Sequence, residues 1–238
     1  MAMTDLTPWL REWPWRPGNL DVRAIQAPDG RSLIQVRLEL GLIQMEADGR
    51  PDGLAYRDAP SALAWFTTHA GARLDAAAVR DLETEMAQRR QRAVACVSLQ
   101  DWPRARRDAL DNLQALDLVA QRAEHVADRG RLENWRVHEL AMQARAEASL
   151  AMVVGRRDLA RQAIEAGLAA MQRACAPAGP HAGPQVDMLL GLLDAMTLKL
   201  PSSERSELER RLQVAVAAEN FELAAILRDE LRLLGGSP

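Results

Sequence analysis

Residues 93–116 read AVACVSLQDWPRARRDALDNLQAL, and residues 148–171 read ASLAMVVGRRDLARQAIEAGLAAM. Set one over the other, the two stretches align without a gap. Ala93 meets Ala148, Val97 meets Met152 and Leu99 meets Val154. After a polar break, Ala105 meets Ala160, Arg106 meets Arg161, Leu113 meets Leu168 and Leu116 meets Met171. Each copy predicts a helix, a tight turn (Gln100-Asp101-Trp102-Pro103 or Gly155-Arg156-Arg157-Asp158) and a second helix. Small residues at the crossing, Ala105 and Ala160, let two backbones approach. The large residues at Leu113, Leu116, Leu168 and Met171 then fill the groove toward the next pair.

Outward from this pair, residues 75–200 are rich in Ala and Leu and poor in β-branched residues, as a helical region should be. The recurrence resembles degenerate tetratricopeptide repeats, with a large residue, a polar break, then Ala opening the second helix. The spacing is longer than that family's because AEHVADRGRLENW intervenes, and a plain helical bundle is the alternative. The run CAPAGPHAGPQ at 175–185 reads as a break, since its three prolines and two glycines do not continue a helix. QVDMLLGLLDAMTLKL then predicts one more apolar helix that caps the array.

On the N-terminal side the period changes. LDVRAIQA and SLIQVRLEL alternate about a PDGR turn signal, which predicts a β-hairpin with strands over 20–27 and 32–40 and Asp29-Gly30 in the turn. Leu33, Val36, Leu38 and Leu40 compete with Ile34 for the buried face, so a bulge is expected as one resolution. Leu42, Ile43 and Met45 suggest a third strand, DGRPDG a loop, and Ser61 the N-cap of a short helix ending about His69. Before the strands lies PWLREWPWRPG, with three of the six tryptophans, Trp9, Trp13 and Trp15. The plain reading is a tail pinned to the body by its indoles; the sharper one is a partner-binding arm.

The closing segment splits into two helices about Glu219-Asn220. Leu208, Leu212, Ala215 and Val216 form a stripe on the first, and Ala224, Leu227, Leu231 and Leu234 on the second. Phe221 sits at the bend, Ala224 and Ala225 keep it thin, and Arg228 and Asp229 lie off the stripe. One row of leucines at ~25 cal/mol per Å² does not offset the ordering of about 30 residues. Such a hairpin docks, self-associates or binds another protein. The run LERRLQVAVAAENFELAAILRDELRLL resembles the UVR motif of bacterial excision-nuclease subunits. Phe221, Glu222, Ala224, Ala225, Arg228, Asp229 and Leu231 match its pattern in order. The resemblance implies a hairpin that mediates protein–protein contact, commonly with another such hairpin. The expected contact residues are Leu208, Leu212, Phe221, Ala224, Ala225, Leu227, Arg228, Asp229 and Leu231. No helicase or nuclease motifs accompany the hairpin, so the whole chain is not one of those subunits, and without zinc-ligand pairs it fits poorly with the regulators of bacterial proteolysis that also carry the motif. Its order of elements is similar to that of other bacterial UVR-motif proteins.

Composition bounds the rest. At 238 residues, with 48% hydrophobic and 26% charged residues, the chain can bury a real core as a globular protein. The net charge of −3 gives no global basic field, so a nucleic-acid partner is not expected. Lys199 is the only lysine among 30 basic residues. Arg89, Arg90 and Arg92 before the first break and Arg104, Arg106 and Arg107 after it offer one basic patch for phosphate or nucleic acid. Residues 79–147 hold as many acids as arginines, which favours an ion-paired surface. Glu83 and Glu85, two apart on a helix, read as solvated. Cys96 and Cys175 stand apart and read as reduced core thiols. His125 and His138 with Glu124 and Glu139 are the only approach to a metal set. There is no phosphate-loop or dinucleotide fingerprint, no leader pattern and no membrane-length apolar run.

The expectation is therefore an α+β, predominantly α protein in three parts: 1–74 (arm, β-hairpin, short helix), 75–200 (tetratricopeptide-like array) and 201–238 (UVR-like hairpin). Functionally it reads as a cytoplasmic, non-enzymatic adaptor without cofactor, whose partner is a protein, a second hairpin of this type or another copy of the chain. The alternative is a DNA-repair factor touching nucleic acid through the arginine patch.

Overall fold

The computed structural model describes residues 5–175, 183–196, 202–217, 223 and 226–231; for 175, 202–206 and 217 only the backbone is described. Contacts divide the chain into two units, Met1–Val186 and Asp187–Pro238. The fold is α+β and predominantly α. A three-stranded antiparallel sheet precedes a helical array.

The strands are β1 (Asp21–Gln26), β2 (Ser32–Leu38) and β3 (Gly41–Glu46), in the order β1-β2-β3. The first turn is the Asp-Gly turn expected from sequence. Gly30 takes φ +86°, and Asp29 accepts from the backbone N–H of Arg31 at 3.1 Å. The third strand is present, Leu38 faces Gly41 across a two-residue turn, and the ladder runs without a bulge. The competition between the faces of β2 is resolved because both faces are covered. Ile34, Val36, Ile43 and Met45 pack on Ala95, Cys96, Ala105 and Ala146 of the helices. On the other face Arg23 bonds Gln35 (2.8 Å), which bonds Gln44 (2.8 Å). Helix α1 (Thr7–Glu12) leads into Trp13, whose ring lies 4.2 Å beneath Arg23 and whose carbonyl accepts from Arg37 at 2.6 Å. The arm is thus held by the Trp13 indole and carbonyl and by Arg16, which pairs with Asp21 of β1, while Trp9 stays exposed.

Helix α2 (Ala62–Thr68) is capped by Ser61, whose hydroxyl accepts from the Ala64 N–H at 3.0 Å, and ends at His69. Helix α3 (Ala76–Ser98) is capped by Asp75 and α4 (Trp102–Arg122) by Asp101. Helix α5 (Val126–Glu133) occupies the intervening segment, followed by α6 (Arg136–Val153) and α7 (Arg157–Cys175). α3 packs on α4, α4 on α6 and α6 on α7, which makes a layer of helices.

The 55-residue recurrence is a repeat of backbone as well as sequence. Gln100 and Gly155 both take left-handed φ, +58° and +75°. The Asp101 N–H donates to the Cys96 carbonyl at 2.8 Å, and the Arg156 N–H to the Ala151 carbonyl at 2.8 Å. Each is the six-to-one bond that closes a helix C-terminus. The buried positions also correspond: Met86 with Ala141, Ala93 with Ala148, Ala105 with Ala160, Ala109 with Ile164 and Leu116 with Met171. The copies differ at the turn. Leu99 packs against the sheet, whereas its counterpart Val154 is 70% exposed.

Helix α7 ends where the Pro/Gly-rich break begins, and α8 runs Gly183–Met196 with Pro184 in its first turn; the break itself lies mainly outside the described residues. α9 (Ser202–Ala217) begins the terminal segment. Among the described residues no helix is long and apolar enough to cross a membrane.

Candidate protein-interaction hairpin

α9 presents Leu208, Leu212 and Ala215 on one side, the i, i+4, i+7 stripe of a helix with one apolar face. Residues 226–231 are helical, and Leu227 from this second stretch closes on that stripe. Ala215 is 3% and Leu227 2% exposed, while Leu208 and Leu212 pack beside them half-buried. The two helices therefore meet along one seam.

Of the expected contact residues, Leu227 lies in the interior of the hairpin itself with Leu208 and Leu212 beside it. A single-row stripe on each helix is satisfied first by its neighbour in the chain, the entropically nearest apolar surface. Leu231 is half-buried. Arg228 and Asp229 are exposed and pair weakly with each other at 3.4 Å. The apolar side chains left in water flank the seam: Val214, Val216 and Ile226 are each more than half exposed. The sequence placed Val216 in the buried stripe and did not single out Val214 or Ile226. Their helical phase, one residue from Ala215 and Leu227, was the available signal. Phe221, Glu222, Ala224, Ala225 and Leu234 lie outside the described residues.

The arginine patch takes a different form from the one its spacing suggested. Arg92 is fully buried and bidentate on Asp108 (2.8 and 2.7 Å), with its remaining nitrogen on the carbonyls of Glu46 and Gly49 (2.8 Å each). Arg89 is buried against Glu85. Arg90 reaches Glu139 at 3.0 Å and lies 4.1 Å over the ring of Trp135. Arg104 and Arg107 converge on Asp48 at 2.9 and 2.7 Å, and Arg106 bonds Glu147 at 2.9 Å. Each of the six has a carboxylate partner, and two of them are inside the protein. They form no free cationic face.

The same network overturns the reading of Glu85 as solvated. It is fully buried and accepts from the Ala62 N–H at 2.7 Å, supplementing the cap of α2. Glu83, by contrast, stays near the surface and bonds Arg131 at 2.6 Å.

Protonation follows these contacts. Hydrogen bonds from Arg104 and then Arg107 hold the Asp48 carboxyl well below the usual carboxylate range. Burial raises Glu139 against the opposing pull of Arg90, and burial followed by the Arg90 charge lowers His138. The Cys96 thiol is pushed up to about 12 by burial and then by Asp108, so it stays protonated and inert. No cluster of three or more metal-ligating side chains occurs among the described residues.

The terminal hairpin is where comparison with known proteins is informative. The family model of the UvrB/uvrC motif matches residues 202–236, the whole of this segment, and the chain therefore carries a UVR motif. No curated protein and no solved structure matches the chain.

Proposed function

We propose that the protein is a non-enzymatic interaction protein that pairs, through its UVR hairpin, with a second hairpin of the same type on another copy or another chain. The observation that carries this reading is the hairpin's own economy: its single interior row leaves Val214, Val216 and Ile226 in water on a unit matched to the UVR motif. A one-layer hairpin of this size gains stability by acquiring a second apolar surface. Neutralisation of the six arginines favours a protein partner over nucleic acid.

The test is sedimentation of the full chain, alone and mixed with UVR-motif proteins of its host. Wild type is expected to form a dimer or a mixed complex. Val216→Glu with Ile226→Glu should abolish it while leaving the helical circular dichroism unchanged, because neither side chain belongs to the seam. A full chain that stays monomeric in every mixture, or a complex indifferent to the double substitution, removes the proposal.

A further inference from the structure

The loop joining α2 to α3 meets the loop joining α4 to α5. The Leu74 N–H donates to the Arg122 carbonyl at 3.1 Å, and the Glu124 N–H to the Leu74 carbonyl at 2.9 Å. Beside this two-bond bridge lies a cavity of about 290 Å³, lined by residues 70–73, 121–124 and Arg129. Three of its lining residues are arginines: Arg73, Arg122 and Arg129.

These three differ from the arginines of the α3–α4 patch. Arg89, Arg90, Arg92, Arg104, Arg106 and Arg107 are each matched to a carboxylate. Among the described residues Arg73, Arg122 and Arg129 have no such partner. Arg122 donates one nitrogen to the Phe66 carbonyl at 2.8 Å. Arg129 donates to the Ala123 carbonyl at 3.0 and 2.7 Å. These bonds orient the two guanidiniums without cancelling their charge and leave further N–H groups on each fork. Arg73 is exposed at the rim. The one acid lining the cavity, Glu124, forms no ion pair with any of them. Three cations and one carboxylate in a concave site leave two positive charges uncompensated.

We propose that this cleft binds a small oxyanion ligand, its phosphoryl group held by Arg73, Arg122 and Arg129. Guanidinium forks match the geometry of phosphate oxygens in pairs, and two of the three are already positioned. The charge balance fits a phosphate dianion. The volume sits at the lower end, roughly 300 Å³, of pockets that hold small molecules, which suits a phosphoryl group with a small organic body.

The experiment is calorimetric titration of the full chain with inorganic phosphate, against sodium chloride at matched ionic strength. Saturable phosphate binding is expected, absent with chloride. Arg73→Ala, which removes no bond that holds the fold, and Arg129→Ala should each weaken it roughly tenfold. Arg106→Ala, outside the cleft, should leave it unchanged. Absence of saturable binding, reproduction by chloride, or wild-type affinity in the Arg73 and Arg129 variants overturns the assignment.

Discussion

Arg92 carries a full charge into the interior, and the protein answers it at every nitrogen. Two nitrogens meet Asp108 and the third meets two carbonyls of the β3 exit loop. Removing one member of such a buried pair costs about 3–5 kcal/mol; without Arg92, the buried Asp108 keeps only the longer contact to Arg107 at 3.7 Å. Arg92→Met is therefore expected to lower stability by that amount in urea unfolding. Arg92→Met with Asp108→Leu should recover most of it, with a residue of about 1–3 kcal/mol from the carbonyls of Glu46 and Gly49, now without donors. If the double variant is as unstable as the single one, the charge is not the cause. None of this was legible in the sequence. Arg89, Arg90 and Arg92 and the acids near them read as a solvated ion-paired surface, because that is where runs of charge usually lie. Their partners stand as far as 49 residues away in the chain, so only tertiary structure reveals that Glu85, Arg92, Asp108 and Glu139 are inside.

At the scale of elements, local signals sufficed wherever the determining chemistry lay within a few residues. The Asp29-Gly30 turn, the Ser61 cap and the third strand were readable because each depends on its neighbours alone. The 55-residue recurrence was readable because a helix turn and its buried stripe leave a periodic trace. The two left-handed turn residues make a paired prediction. Gly155 occupies its position without strain, so Gly155→Ala should cost about 1 kcal/mol. Gln100 adopts the same conformation with a side chain, so Gln100→Gly should stabilise by about 0.5–1 kcal/mol. Opposite signs in matched denaturation curves would establish the equivalence; equal signs would contradict it. The seam of the terminal hairpin was legible as a stripe on each helix. That Val214 and Ile226 flank the seam in water was not, because periodicity fixes a face and not what covers its margins.

For the whole molecule, two clusters built around α3 and α4 draw every residue from the first unit: α2 through α5 on one side, the sheet with Ala146 on the other. No described residue from Ser202 onward belongs to either cluster. A chain ending at Met196 is accordingly expected to keep its main thermal transition within about 2–4 °C of the full chain, the shift worth ~1 kcal/mol at this size. Its capacity to pair with other hairpins should be gone. A large fall in the transition would mean that the hairpin is a structural brace. Half of the six-arginine patch, which read as a DNA contact in the alternative view of the chain, is the attachment of the sheet to the helices: Asp48 and the carbonyls of Glu46, Ala47 and Gly49 are gripped by Arg92, Arg104 and Arg107.

That attachment has a consequence for synthesis. The apolar face of the sheet closes on Ala95, Cys96, Ala105 and Ala146, all of which follow it in the chain. While the polypeptide leaves the ribosome, Ile34, Val36 and Met45 emerge first and wait in solvent until α3, α4 and finally α6 have cleared the exit tunnel. During that interval the nascent sheet offers bare edges and a greasy surface together, the combination that invites chaperone capture or mispairing between neighbouring chains on one polysome.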